Sequence, residues 1–159
     1  MTPPSLKKSV SLIQRQAPSK RSMVNEFQTQ HLCALCTFLE SRTLAHFGVR
    51  THRDLPLEVD DEFTSLPEYD LFSSGVYACG FVCSDLSPDA DLDAVERDPE
   101  GVLDRMNLPR IRHYLHTLLR SERANWGGGS VIYSALRAGV LSALVQRIKD
   151  GEDLFQVVL

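Results

Sequence analysis

The sequence predicts a mainly α protein: a single compact helical domain of five to seven helices with at most a short extended segment. Three observations carry this. Apolar residues recur at helical rather than alternating spacing, helix-starting pairs such as Asp98-Pro99 and Leu108-Pro109 stand at the head of those runs, and Gly48, Gly80, Gly139 and Gly151 stand at their ends. The stretch that organises the rest is 108–148, where Leu108, Ile111, Leu115, Leu118 and Leu119 fall on one stripe of a helix. Glu122 lies near the middle of that stripe and needs partners, because an unpaired buried carboxylate is costly.

The elements follow in order. Asn25 with Gln28 reads as a capping box and Gly48 as a stop, so a first helix is expected over Glu26–Phe47, with Phe27, His31, Leu32, Leu35, Phe38 and Leu39 on its apolar face. Residues 49–64 show no period and many acids, which predicts a surface loop around Pro56. Ser65-Leu66-Pro67-Glu68 repeats the capping-box pattern, predicting a second helix over 66–79 closed by Gly80. Phe81-Val82-Cys83 is then the short extended piece. Ser87-Pro88 is expected to open a weak acidic helix to Arg97, and Asp98-Pro99 a further turn to Met106. Asn107 caps the central helix, Ser130 caps the next, and Gly139 ends it. A last helix over 140–149 turns Leu141, Leu144, Val145 and Ile148 inward. The domain organisation expected is a disordered basic arm over 1–24, for which Met23 is an alternative start, a helical domain over 25–149, and a tail over 150–159 that lays Phe155, Val157, Val158 and Leu159 on the body.

With 159 residues, 43% hydrophobic and 24% charged, the chain can bury one core without staples, and it contains no apolar run long enough for a membrane span. The net charge of -4 conceals a segregation. Residues 1–53 hold eight Lys/Arg against two acids, residues 54–104 one Arg against fifteen acids, residues 105–149 eight Lys/Arg against one acid, and the last ten residues three acids. Either these blocks face one another in the fold or one of them is a charged surface for a partner. The arm lacks the apolar core of a signal peptide, so the four cysteines are expected as reduced thiols and the protein as cytoplasmic.

Two sets of residues carry a family resemblance. Leu118-Leu119-Arg120-Ser121-Glu122-Arg123, followed by glycine, Gly139 and a Leu/Val/Ile-rich helix, is one; Ser65-Leu66-Pro67-Glu68 with Phe72, Tyr77, Gly80 and Phe81-Val82 is the other. Together they resemble the bacterial domain of unknown function 6508 over about residues 27–149. This chain departs from that pattern at Ala124, at the longer Asn125-Trp126-Gly127-Gly128-Gly129 loop and at Asp85-Leu86. The resemblance implies a fold and a bacterial or mobile-element origin, and brings no activity with it.

Candidate chemistry clusters on one flank of the central helix. Arg112, His116, Arg120 and Arg123 could hold an anion there, since guanidiniums fork onto phosphate or carboxylate and the amides at the helix start near Ser130 face the same charge. The competing reading pairs these arginines with the acidic middle and with Glu122 as a structural carboxylate. Glu122 as a general base would need a second acid or base, and His116 alone is available. Cys33-x2-Cys36 and Cys79-x3-Cys83 have spacings that zinc can use, but Cys33 and Cys36 lie mid-helix, where small buried apolar side chains are the better reading. No nucleophile elbow, dinucleotide fingerprint or Walker lysine is present, and no cofactor is expected. The function expected is a non-enzymatic protein-interaction or regulatory module with an unknown protein partner. The alternative is an enzyme or binder acting on a phosphate-bearing small molecule through the Arg/His/Glu cluster. Nucleic-acid binding through the basic C-terminal helices comes third, because the intervening loop is long for a helix-turn-helix and the whole chain is acidic.

Overall fold

Short polar side chains set most of the helix starts. Asp91 accepts from the Ala94 N–H, Asp98 from Gly101, Asn107 from Arg110 and Ser130 from Tyr133, each satisfying a donor that the first turn leaves open. The computed structural model describes residues 26–59, 61–125, 127–151 and 154. Among them are seven α-helices and no strand: α1 (Glu26–Phe47), α2 (Pro67–Ala78), α3 (Leu92–Arg97), α4 (Pro99–Leu103), α5 (Leu108–Ala124), α6 (Val131–Arg137) and α7 (Val140–Asp150). A 3-10 turn, His52–Asp54, interrupts the connection from α1 to α2. The mainly α, single-domain expectation holds, and no single helix among the described residues is long and apolar enough to cross a membrane.

The core gathers around α5. Ile111, Tyr114, Leu115 and Leu118 are fully buried, against Phe63, Phe72 and Phe81 from the first half of the chain and Ile132, Leu136, Val140, Leu141 and Leu144 from the last two helices. α1 packs on α2 and α7, α4 on α7, and α6 on both α5 and α7. α6 and α7 meet at 69° across Gly139, whose φ of +87° is open to glycine and strained for other residues.

Several expectations are corrected. The buried face of α1 is Thr29, Leu32, Cys33, Cys36, Leu39 and Thr43, whereas Phe27 is 75% exposed and His31 also lies outside. α1 is gripped by α2 on one side and α7 on the other, so its buried surface is wider than one apolar stripe. Thr29 and Thr43 enter it because their hydroxyls donate to the Glu26 and Leu39 carbonyls. Ser65 does not cap α2; its hydroxyl donates to the Asp61 carbonyl in the preceding turn, and Leu66 stands at the cap. The acidic helix begins at Leu92 rather than at Ser87-Pro88, because Asp91 is the residue whose carboxylate meets the first free N–H. Phe81 to Cys83 form no strand and lie along α5. The Asn25 cap, the basic arm and the tail residues Phe155 to Leu159 lie outside the described residues.

Candidate functional site

The predicted cluster sits on α5, and its members do different things. Glu122 is almost at the end of the helix, facing the start of α6. Its Oε2 accepts the Val131 and Ile132 N–H groups at 2.6 and 3.1 Å, and its Oε1 accepts the hydroxyls of Ser130 and Tyr69, both at 2.6 Å. A carboxylate with four donors at the positive end of a helix is fully satisfied. It joins α5, α6 and α2 at one point. Among the described residues no arginine takes part, and Glu122 is held by a cap of peptide N–H and hydroxyl groups rather than by guanidiniums. Burial and the Glu122 carboxylate together push the Tyr69 phenol above its ordinary range, which keeps it a donor.

His116 is 1% exposed. Its Nδ1 accepts the Cys83 N–H at 3.2 Å, so the neutral ring carries its proton on Nε2, which is buried near the Leu86 backbone. Desolvation drives its pKa below the ordinary histidine value, and the positive charges of Arg120 and Arg112 add to this. The expected open flank is therefore covered. Residues 81–90 lie along it: the Ala90 N–H donates to Thr117, and His113 Nε2 donates to the Ser87 carbonyl and stands 2.7 Å from Asp89. Arg112 is half-buried beside this segment, and Arg120 is exposed with no carboxylate partner among the described residues. Arg123 turns the other way, its guanidinium 5.6 Å above the Tyr77 ring. It borders a groove of about 490 Å³ between α2 and α5 that also contains Tyr69, Ser73 and Glu122. The four residues of the predicted anion site are thus spread over two sides of α5.

Cys33, Cys36 and Cys79 are buried free thiols, and Cys83 is a half-buried one. Burial pushes the first three up, away from the thiolate that zinc needs. Among the described residues no group of three or more His, Cys, Asp or Glu side chains is arranged to hold a metal ion.

Comparison with family models, curated proteins and solved structures gives no match to this chain. Function must therefore be argued from the chain's own groups. Two features escaped the sequence reading. Tyr69 lies 53 residues from Glu122, beyond any local pattern. The other is a group of arginines outside the predicted cluster. Arg53, Arg97 and Arg137 come from three separate elements and border shared depressions that carboxylates also line, which no local pattern marks.

Proposed function

We propose that this protein is a non-enzymatic interaction module that offers its acidic middle segment to a basic partner protein. The observation that carries this is that a run of acids in the middle of the chain stays at the surface. Asp89, Asp91, Asp93, Asp98, Glu100 and Asp104 are all exposed. Those with visible partners bind locally or to histidine: Asp91 and Asp98 cap their own helices, and Asp89 meets His113. The candidate acid-base groups, Glu122 and His116, are engaged by the fold, which supports a binding role over a catalytic one. A cytoplasmic setting belongs to the same reading, supported by the free thiols, and a bacterial one rests on the family resemblance alone.

Affinity capture from cell extract tests it, using the full chain beside a variant carrying Glu100→Lys and Asp104→Lys. The reading expects a basic protein that the wild type retains at low salt, that moderate salt releases, and that the variant fails to hold. Absence of any such partner, together with turnover in an activity screen, overturns it.

A further inference from the structure

Residues 81–90 cross α5 without regular secondary structure, and the hydrogen bonds that dock them go to α5 side chains. The Cys83 N–H donates to His116 Nδ1 at 3.2 Å, the Ala90 N–H to Thr117 Oγ1 at 3.1 Å, and His113 Nε2 to the Ser87 carbonyl at 3.0 Å. Phe81 is fully buried at one end, whereas Ser84, Asp85, Ser87, Pro88 and Asp89 are exposed. Among the described residues Val82 is the one side chain of 82–90 packed against the buried core. A segment held by a few hydrogen bonds with little apolar backing opens more easily than the fold as a whole. We propose that residues 82–86 form an acid-released flap, closed on α5 while His116 is neutral and lifted when His116 takes a proton.

A backbone N–H can only donate, so His116 Nδ1 is the bare nitrogen and Nε2 carries the proton, near the Leu86 backbone. Protonation puts a second N–H opposite that of Cys83. The bond that closes the flap becomes a contact between two donors. The new charge is also poorly placed, because the ring is 1% exposed and Arg112, His113 and Arg120 of its own helix act on it. Among the described residues none of the charges acting on the ring is a carboxylate. The crossing segment carries Cys83, Asp85 and Asp89, but Asp89 stands 2.7 Å from His113. Glu96 of α3 accepts from Ser134 and acts on Tyr114 instead.

Burial and the neighbouring cations hold the closed ring below the ordinary histidine value, whereas a lifted flap returns it toward about 6.5. The open form therefore binds the proton more readily. Opening grows as pH falls below about 6.5, by up to about tenfold per pH unit for one proton, and levels off below the closed-state value. The other two docking bonds do not respond in this way. Thr117 has no titratable group, and His113 donates from Nε2 in either protonation state, with Asp89 beside it. Residues 87–90 stay clamped, and release is confined to the stretch between Phe81 and Ser87. Lifting uncovers a charged His116 on the flank that carries Arg112 and Arg120, so an anion meets in acid a cationic surface that is covered at neutral pH. The flap is independent of what the acidic surface binds.

Amide hydrogen exchange of the full chain, read residue by residue by NMR as protection factors from about pH 7.5 to about pH 5, tests the flap. The Cys83 N–H should lose protection at least about threefold while the Ala90 N–H keeps its own, and the His116 ring should titrate with the same midpoint as the Cys83 loss. His116→Gln, whose side-chain oxygen accepts from Cys83 without titrating, should abolish the pH dependence, and His113→Gln should leave it in place. Should His116→Gln fail to fold, the wild-type ring titration decides: a midpoint that differs from that of the Cys83 amide overturns the proposal. Equal loss at Cys83 and Ala90 also overturns it, since the whole domain would then be opening. So does constant protection at Cys83, or a pH dependence that survives in His116→Gln.

Discussion

Glu122 shows how one side chain can be read correctly for need and only in part for partner: the free N–H groups next to the loop were expected beside the flanking arginines, and of these two only the N–H groups take part among the described residues. Its position on an aliphatic stripe marks it as a carboxylate that must be satisfied, and the loop that follows supplies free N–H groups, but Tyr69 is far away in the chain. Glu122→Ala leaves the Val131 and Ile132 N–H groups and two hydroxyls without an acceptor, and should cost about 2–4 kcal/mol in urea denaturation. Glu122→Gln, which keeps one acceptor oxygen, should cost roughly half of that. His116 was equally legible as a histidine on a helix flank, but its covering by residues 81–90 depends on long-range hydrogen bonds. Its depressed pKa fixes the sign of an acid effect. The unfolded chain takes up a proton near pH 6.5 that the folded chain refuses, so stability falls as pH drops below about 6.5 toward the folded value. His116→Gln should flatten that part of the stability–pH curve; an unchanged slope would place the acid sensitivity elsewhere.

At the scale of elements, local chemistry was a good guide where a cap meets its own first turn. The starts at Pro99, Leu108 and Val131 follow directly from Asp98, Asn107 and Ser130. It misled where a similar residue had a competing partner. Ser65 gives its hydroxyl to Asp61, and the Ser87 carbonyl goes to His113, so neither opens the helix its neighbouring proline suggests. The stripe on α1 misled for a different reason, since two neighbours bury more of that helix than one face. The corner between α6 and α7 is the most demanding junction. Gly139→Ala meets both a left-handed backbone and the His52 ring, and should cost about 1–3 kcal/mol.

For the whole molecule, the helical class was legible because helix periodicity, caps and terminal glycines agree along the chain. The charge segregation was legible by counting, but counting cannot say which block faces which. Among the described residues Arg53, Arg97, Arg120 and Arg137 form no ion pair with a carboxylate, and Asp89, Asp91, Asp93, Asp98, Glu100 and Asp104 lie at the surface. Repulsion within the acidic segment is then a destabilising force that salt relieves, whereas an internal network of opposite charges would be a stabilising force that salt weakens. The urea midpoint of the wild-type chain measured from about 0.01 M to about 0.15 M NaCl, where the screening length falls from about 30 Å to about 8 Å, separates these directly. A midpoint that rises with salt is the result expected of charge left free for partners; a midpoint that falls would mean the blocks hold each other, and would contradict the account.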